Sequence, residues 1–161
     1  IDSTQAAVTL TNHLLEKSLK AVLIFNEPNN QNYTDISQIE NHFENMNNLH
    51  GNKLLYETIT ACQAKKLISD EQAEKLNEYR QNLRNAFSHA DSNKTFGETK
   101  KIVGIFNPFV HNEIQSKEVK VANFPFLQDT TQKQIADKEC VTYFKYVDSV
   151  IKSITPNLFI K

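Results

Sequence analysis

The chain has 161 residues, 39% of them hydrophobic and 23% charged, with a net charge of −1 and an estimated pI of 6.6. That length fits one domain spanning 1–161, and the balance excludes a disordered tail, a fibre and a protein that coats nucleic acid through a general basic excess. The longest apolar run, Ala21 to Phe25, is far short of the ~18 residues that read as a membrane span, so no membrane partner is expected. Ile1 stands first, which leaves room for a segment ahead of it.

Ser3 or Thr4 predicts the cap of a first helix reaching Phe25. At 100° per residue, Val8, Leu10, Leu14, Leu15, Leu19, Ala21, Val22 and Phe25 gather on one broad face. Asn26-Glu-Pro-Asn-Asn closes it, because proline cannot continue a helix and asparagine favours turns. A second helix follows Thr34-Asp35, with Ile36, Ile39, Phe43 and Met46 at helical spacing, and ends at Asn47-Asn48 and Gly51. A third is expected from about Lys53 to Leu67, presenting Leu55, Ile59 and Cys62. Ser69-Asp-Glu-Gln72 reads as a capping box, in which serine reaches forward and glutamine back to unpaired amides. The helix it opens runs on through Ala73, Leu76, Leu83 and Phe87.

From Thr95 to Leu127 helical spacing stops and Gly97, Gly104, Pro108 and Pro125 punctuate the chain. Ile102–Phe106 and Val119–Val121 can pair as a small hairpin, with an ordered loop as the alternative. Asp129 or Thr130 is expected to cap a long last helix carrying Ala136, Cys140, Tyr143, Val147, Val150 and Ile154, closed by Pro156. The fold class expected is all-α: an antiparallel bundle of about five helices, with a long loop or small hairpin between the last two.

Chemistry concentrates in Glu78-Tyr-Arg-Gln-Asn-Leu-Arg-Asn-Ala-Phe-Ser-His-Ala-Asp91. The chain has two arginines against sixteen lysines, and both, Arg80 and Arg84, are here. A guanidinium offers paired planar donors that match a phosphate, and an imidazole can move a proton near neutral pH. RNA brings its own nucleophile, the 2′-hydroxyl, so a base and a fixed cation could suffice. One geometric condition applies. Arg84 and His89 would point about 140° apart on an unbroken helix, so they converge in one chain only if the helix ends or bends near Phe87–His89. Otherwise a dimer must assemble the site.

Arg84-Asn85-x-x-x-His89 resembles the Arg-polar-x(3–5)-His signature of HEPN domains, small helical domains of many toxin–antitoxin, abortive-infection and CRISPR effector ribonucleases. A long first helix with Leu-Leu-Glu-Lys near its middle, the motif late in an internal helix, and a long final helix fit that resemblance over about three quarters of the chain. Ala90-Asp91 departs from members that carry an aromatic residue soon after the histidine. The resemblance implies a metal-independent endoribonuclease leaving a 2′,3′-cyclic phosphate, with Arg84 holding the phosphate, His89 transferring a proton and Asn85 assisting. It also implies RNA as partner, a homodimer, an antitoxin or other regulatory protein, and no cofactor.

The bland readings are a packed Arg84 stem with an acid partner, a dipole-stabilised His89 at a helix end, and Arg80 as an ion-pairing or snorkelling residue. Glu16 and Lys20 read as a solvated i,i+4 pair. Tyr143, Phe144 and Tyr146 read as core and interface. His13, His42, His50 and His111 lack metal-ligand spacing. Cys62 and Cys140 read as small core residues, a usage that suits a reducing, cytoplasmic setting.

Overall fold

The computed structural model describes residues 3–27, 33–84, 96–106 and 114–158. It is mostly helical, with five α-helices and one two-stranded antiparallel sheet among those residues. The helices are α1 (Ser3–Phe25), α2 (Ile36–His50), α3 (Leu55–Ala64), α4 (Asp70–Tyr79) and α5 (Pro125–Ile154). A π-helical turn, Arg80–Arg84, extends α4. Strands β1 (Lys100–Phe106) and β2 (Ile114–Lys120) form the hairpin ahead of α5.

The helix starts follow local chemistry. Asp35 accepts the Gln38 amide at 3.0 Å while Gln38 reaches back to the Thr34 amide at 3.1 Å. Glu57 reaches back to the Leu54 amide at 2.8 Å and opens α3 two residues later than expected. The Ser69–Gln72 box is present in both directions, at 3.1 and 2.9 Å. Between α3 and α4, Leu67 N–H donates to Cys62 O and Lys66 N–H to Gln63 O. This is the paired helix-end motif that wants a left-handed residue. Lys66 fills that position at φ 55°, where glycine would avoid a strain of about 1–2 kcal/mol. At Gly51 the need for glycine is steric, since a Cβ would stand 2.5 Å from Asn47 O.

The last helix starts at Pro125, four residues before Asp129. Proline at the first helical position lacks only an N–H that would be unpaired there, so no polar cap is needed. Thr130 and Thr131 lie inside the helix and bond back to Phe126 O and Leu127 O, both at 2.6 Å. In the hairpin Lys100 faces Lys120 directly. Glu118 meets Lys100 at 3.1 Å and Glu98 meets Lys120 at 2.8 Å, which offsets the repulsion. A lone hairpin is marginal in water; this one is tied down by buried Val121 and by a Lys101–Gln134 bond of 2.7 Å to α5.

The core joins Val8, Leu15, Leu19 and Val22 of α1 to Ile59 and Cys62 of α3, Leu76 of α4, and Tyr143, Val147, Val150 and Ile154 of α5. The broad α1 face is narrower than its periodicity suggests. Leu10, Leu14 and Phe25 are 67%, 45% and 51% exposed, whereas polar Thr11 and Asn12 are buried. Burial is tolerated because Thr11 Oγ1 donates to Ala7 O and Asn12 Oδ1 accepts from Tyr143 Oη at 2.6 Å. The α2 stripe also stays largely open, Phe43 meeting Phe25 edge-on at 5.7 Å.

One expectation about direction is corrected. Thr4 bonds Asp137 and Asn12 bonds Tyr143, so positions rise together and α1 and α5 run parallel. The core stripe of α5 alternates in steps of three and four, as does much of α1, which favours side-by-side packing at a shallow angle in either direction. The antiparallel partner of α5 is α4, where Gln72 meets Ser153 and Tyr79 packs on Tyr146 and Tyr143. Helical periodicity carries no sign, so only the connections decide which way a neighbour runs.

Candidate functional site

Regular α geometry stops at Tyr79, and Arg84 is the last residue of the π-helical turn that follows. The separation expected on an unbroken helix concerns positions 84 to 89, beyond this turn, of which 85–89 lie outside the described residues. Such turns widen the backbone and recur at functional sites. The side chain of Arg84, and the whole of Asn85, Phe87 and His89, lie outside the described residues.

A groove of about 700 Å³ lies against this turn, between α4 and α5. Its floor is apolar: Tyr79, Leu83 and Phe96 are buried and Ile135 is half-buried. Gln81 and Asn82 stand exposed at one wall. The rim carries two lysines and two glutamates that cancel in charge, Lys75–Glu78 at 2.7 Å and Lys138–Glu139 at 3.5 Å. The Lys75 ammonium sits 5.1 Å from the Tyr79 ring, and its hydrogen bond to Glu78 raises its pKa. Gly97 closes one end in the left-handed region, φ 49°. Both described flanks of the motif segment, 81–83 and 96–97, touch this groove. Alongside it, Glu71 and Glu74 join Glu78, Lys75 and Tyr146 around a smaller hollow, making that flank of α4 acidic. Burial raises the Tyr146 pKa.

Arg80 is occupied elsewhere. Its guanidinium lies 5.3 Å from the Tyr56 ring and its Nε–H donates to Asn77 Oδ1 at 3.2 Å. Its described partners are thus a ring and an amide, not the acid expected of it.

A second polar cluster joins the ends of α1, α2 and α3. Glu27 Oε1 lies 2.7 Å from His50 Nε2 and 3.0 Å from Lys65 Nζ. Burial alone would raise the Glu27 pKa, but hydrogen bonds from Lys65 and His50 outweigh it and hold the carboxyl below its usual 4.5. The folded chain then binds fewer protons than the unfolded one just below that value. The stabilisation is complete above about pH 4.5 and lost as pH falls through the folded pKa. Glu27→Gln is expected to lower Tm at neutral pH, at about 2–4 °C for each kcal/mol lost in a chain of this size. Melts from pH 7 to 3 should show the gap from wild type closing in acid; a constant gap would deny the charge its role.

Glu16 and Lys20 do pair, at 2.8 Å, but Lys20 also donates to Gly51 O at 2.7 Å and so ties α1 to the end of α2. Tyr143 is buried, Tyr146 half-buried and Phe144 exposed. Both cysteines are free thiols. Cys62 is buried, and burial pushes its pKa up to about 12, far from reactive. Cys140 is only half-buried beside the core, a correction to its expected place inside it. His111 lies outside the described residues. Among the described residues no group of three His, Cys, Asp or Glu is placed to hold a metal, and no helix is long and apolar enough to cross a membrane.

The groove brings together residues that the motif left unassigned. Gln81 and Asn82 sit inside the Arg80–Arg84 stretch, and their polar side chains beside an apolar stripe were the available signal. Phe96, beyond the motif, carried none. No protein-family model, curated protein or solved structure matches this chain.

Proposed function

We propose that this chain is a metal-independent endoribonuclease of HEPN type, acting in a defence or toxin–antitoxin setting in the cytoplasm. In this reading His89 takes the proton of an RNA 2′-hydroxyl, whose oxygen attacks the adjacent phosphorus. The 5′-oxygen leaves with a proton, and a 2′,3′-cyclic phosphate remains. Arg84 holds the phosphate and Asn85 assists. The reading carries with it a homodimer and a regulatory partner protein.

The observation that supports it is the π-helical turn ending at Arg84 beside a polar-walled groove. The groove's cancelled rim charges and acidic flank disfavour a phosphate inside it. Its apolar floor and two amides suit an uncharged nucleobase, because amide side chains can pair with base edges. The base would then rest in the groove and the phosphate outside it, at Arg84. Incubation with RNA plus chelator, followed by analysis of the product ends, tests the chemistry.

The same apolar floor and paired amides favour a second reading, a non-catalytic bundle that binds a nucleotide or partner protein. Titration with nucleosides and with inorganic phosphate separates groove binding from cleavage. Nucleosides should bind and phosphate should not compete with them. Asn82→Ala should weaken nucleoside binding several-fold, about 0.5–1.5 kcal/mol for one neutral hydrogen bond. Nucleoside binding without RNA cleavage would select the second reading; no nucleoside binding would remove the groove from both.

A further inference from the structure

We infer that α2 is a hinged arm that opens as a unit from an otherwise intact bundle, held shut by Glu27 just past the end of α1. Apolar burial does little to hold this helix. Among its 15 residues only His50 is buried, while His42 and Met46, on the same face at steps of four, are half-buried. Ile36, Ile39, Phe43 and Leu49 are all exposed, Ile36 to 81%. The buried apolar cluster draws on α1, α3, α4 and α5, and none of its described members comes from α2. Apolar stabilisation scales with the area removed from water, so α2 receives little of it.

What holds α2 is polar and gathers at its C-terminal end. Glu27 Oε1 bridges His50 Nε2 and Lys65 Nζ, which joins the ends of α1 and α2 to the turn after α3. Lys20 adds its bond to Gly51 O, and the neighbouring Glu16 is taken up by Lys20. Phe25 and Phe43 contribute only their edge contact.

The closed contact also carries an internal conflict. His50 Nδ1 is buried with no hydrogen-bond partner. Whether it holds a proton or a lone pair, closure strips it of water and gives nothing in return. The one side chain that α2 buries is therefore drawn inward through Nε2 and outward through Nδ1. Opening disturbs none of the helix's own end bonds. Asp35 caps the Gln38 amide, Gln38 reaches back to Thr34, and Gly51 N–H donates to Asn47 O. The arm can swing with those bonds intact about the turn after it, where Lys53 N–H donates to His50 O.

The inference does not rest on the ribonuclease reading, and the groove beside Arg84 has no residue of α2 in its lining.

Residue-resolved hydrogen exchange of the full chain, at neutral pH and low denaturant, tests it. Amides across residues 40–48 should share one opening free energy and exchange about 10²-fold or more faster than those of the α5 core stripe. Glu27→Gln should speed α2 several-fold further. Tyr143→Phe supplies the contrast, because the bond to Asn12 that it removes is present whether the arm is open or shut. That variant should speed exchange in α5 and leave α2 unchanged. If it speeds both equally, α2 opens only when the whole chain unfolds and the inference fails. It fails too if Glu27→Gln leaves α2 exchange as it was. Rates graded by distance from the helix ends would mean fraying, and would equally overturn an arm that moves as one.

Discussion

The His89→Ala protein is expected to lose about 10²–10⁴-fold in RNA cleavage, the usual contribution of one positioned acid–base group, and to melt at the wild-type temperature. The melt is the necessary control, because a histidine that served packing would lose activity and stability together. Arg84→Lys should also lose most activity, since an ammonium keeps the charge but not the paired planar donors. Chelator should change nothing. DNA, and RNA methylated on the 2′-oxygen at the cleavage position, should resist because the nucleophile is missing or blocked. Cleavage of an all-DNA substrate, or activity lost to chelator, would refute the assigned chemistry. Intact activity in the His89→Ala protein would remove the site itself.

Tyr143→Ala should destabilise the fold by about 3–5 kcal/mol, the range for deleting a large buried aromatic side chain. Tyr143 is 1% exposed, its ring centroid lies 4.8 Å from that of Tyr79, and its hydroxyl donates to buried Asn12 at 2.6 Å. Two contributions can be separated. Tyr143→Phe keeps the ring and leaves Asn12 Oδ1 without this donor, at about 1–3 kcal/mol. Asn12→Ala removes this acceptor from the hydroxyl at a similar cost. Urea denaturation of both singles and the double should show the double costing less than their sum, because neither partner is then left stranded. Simple additivity would mean that the bond does not hold α1 against α5.

Much of the local structure was legible from residue order. Asp35, the Ser69–Gln72 box and the glycine at 51 each act within a few positions, through bonds or close contacts that depend on little beyond neighbouring residues. The core stripe of α5 was legible for the same reason, since a spacing of three and four can bury only one side of a helix. Pro125 shows where that logic slipped. A polar cap and a first-position proline are competing start signals, and the proline precedes Asp129.

The candidate site was legible only as a list of residue types. Arg84 and His89 could be named from the chemistry a phosphate needs and Asn85 only from the family resemblance, but a repeat of 100° per residue assumes the helix it is meant to test. The π-helical turn before Arg84 is not encoded by any spacing in Arg80-Gln-Asn-Leu-Arg84.

By itself, then, the sequence determined the helical class, most helix starts and the core stripe of α5, because these rest on short-range bonds and on apolar periodicity. Tertiary structure alone decided that α1 and α5 run parallel, that Leu10 and Leu14 stay exposed while Asn12 is buried, and that Gln81 and Asn82 line one groove with Phe96. Each of those outcomes depends on what a distant segment covers. Apolar spacing specifies a face that can be buried, whereas its neighbour and direction are set by how the whole chain closes.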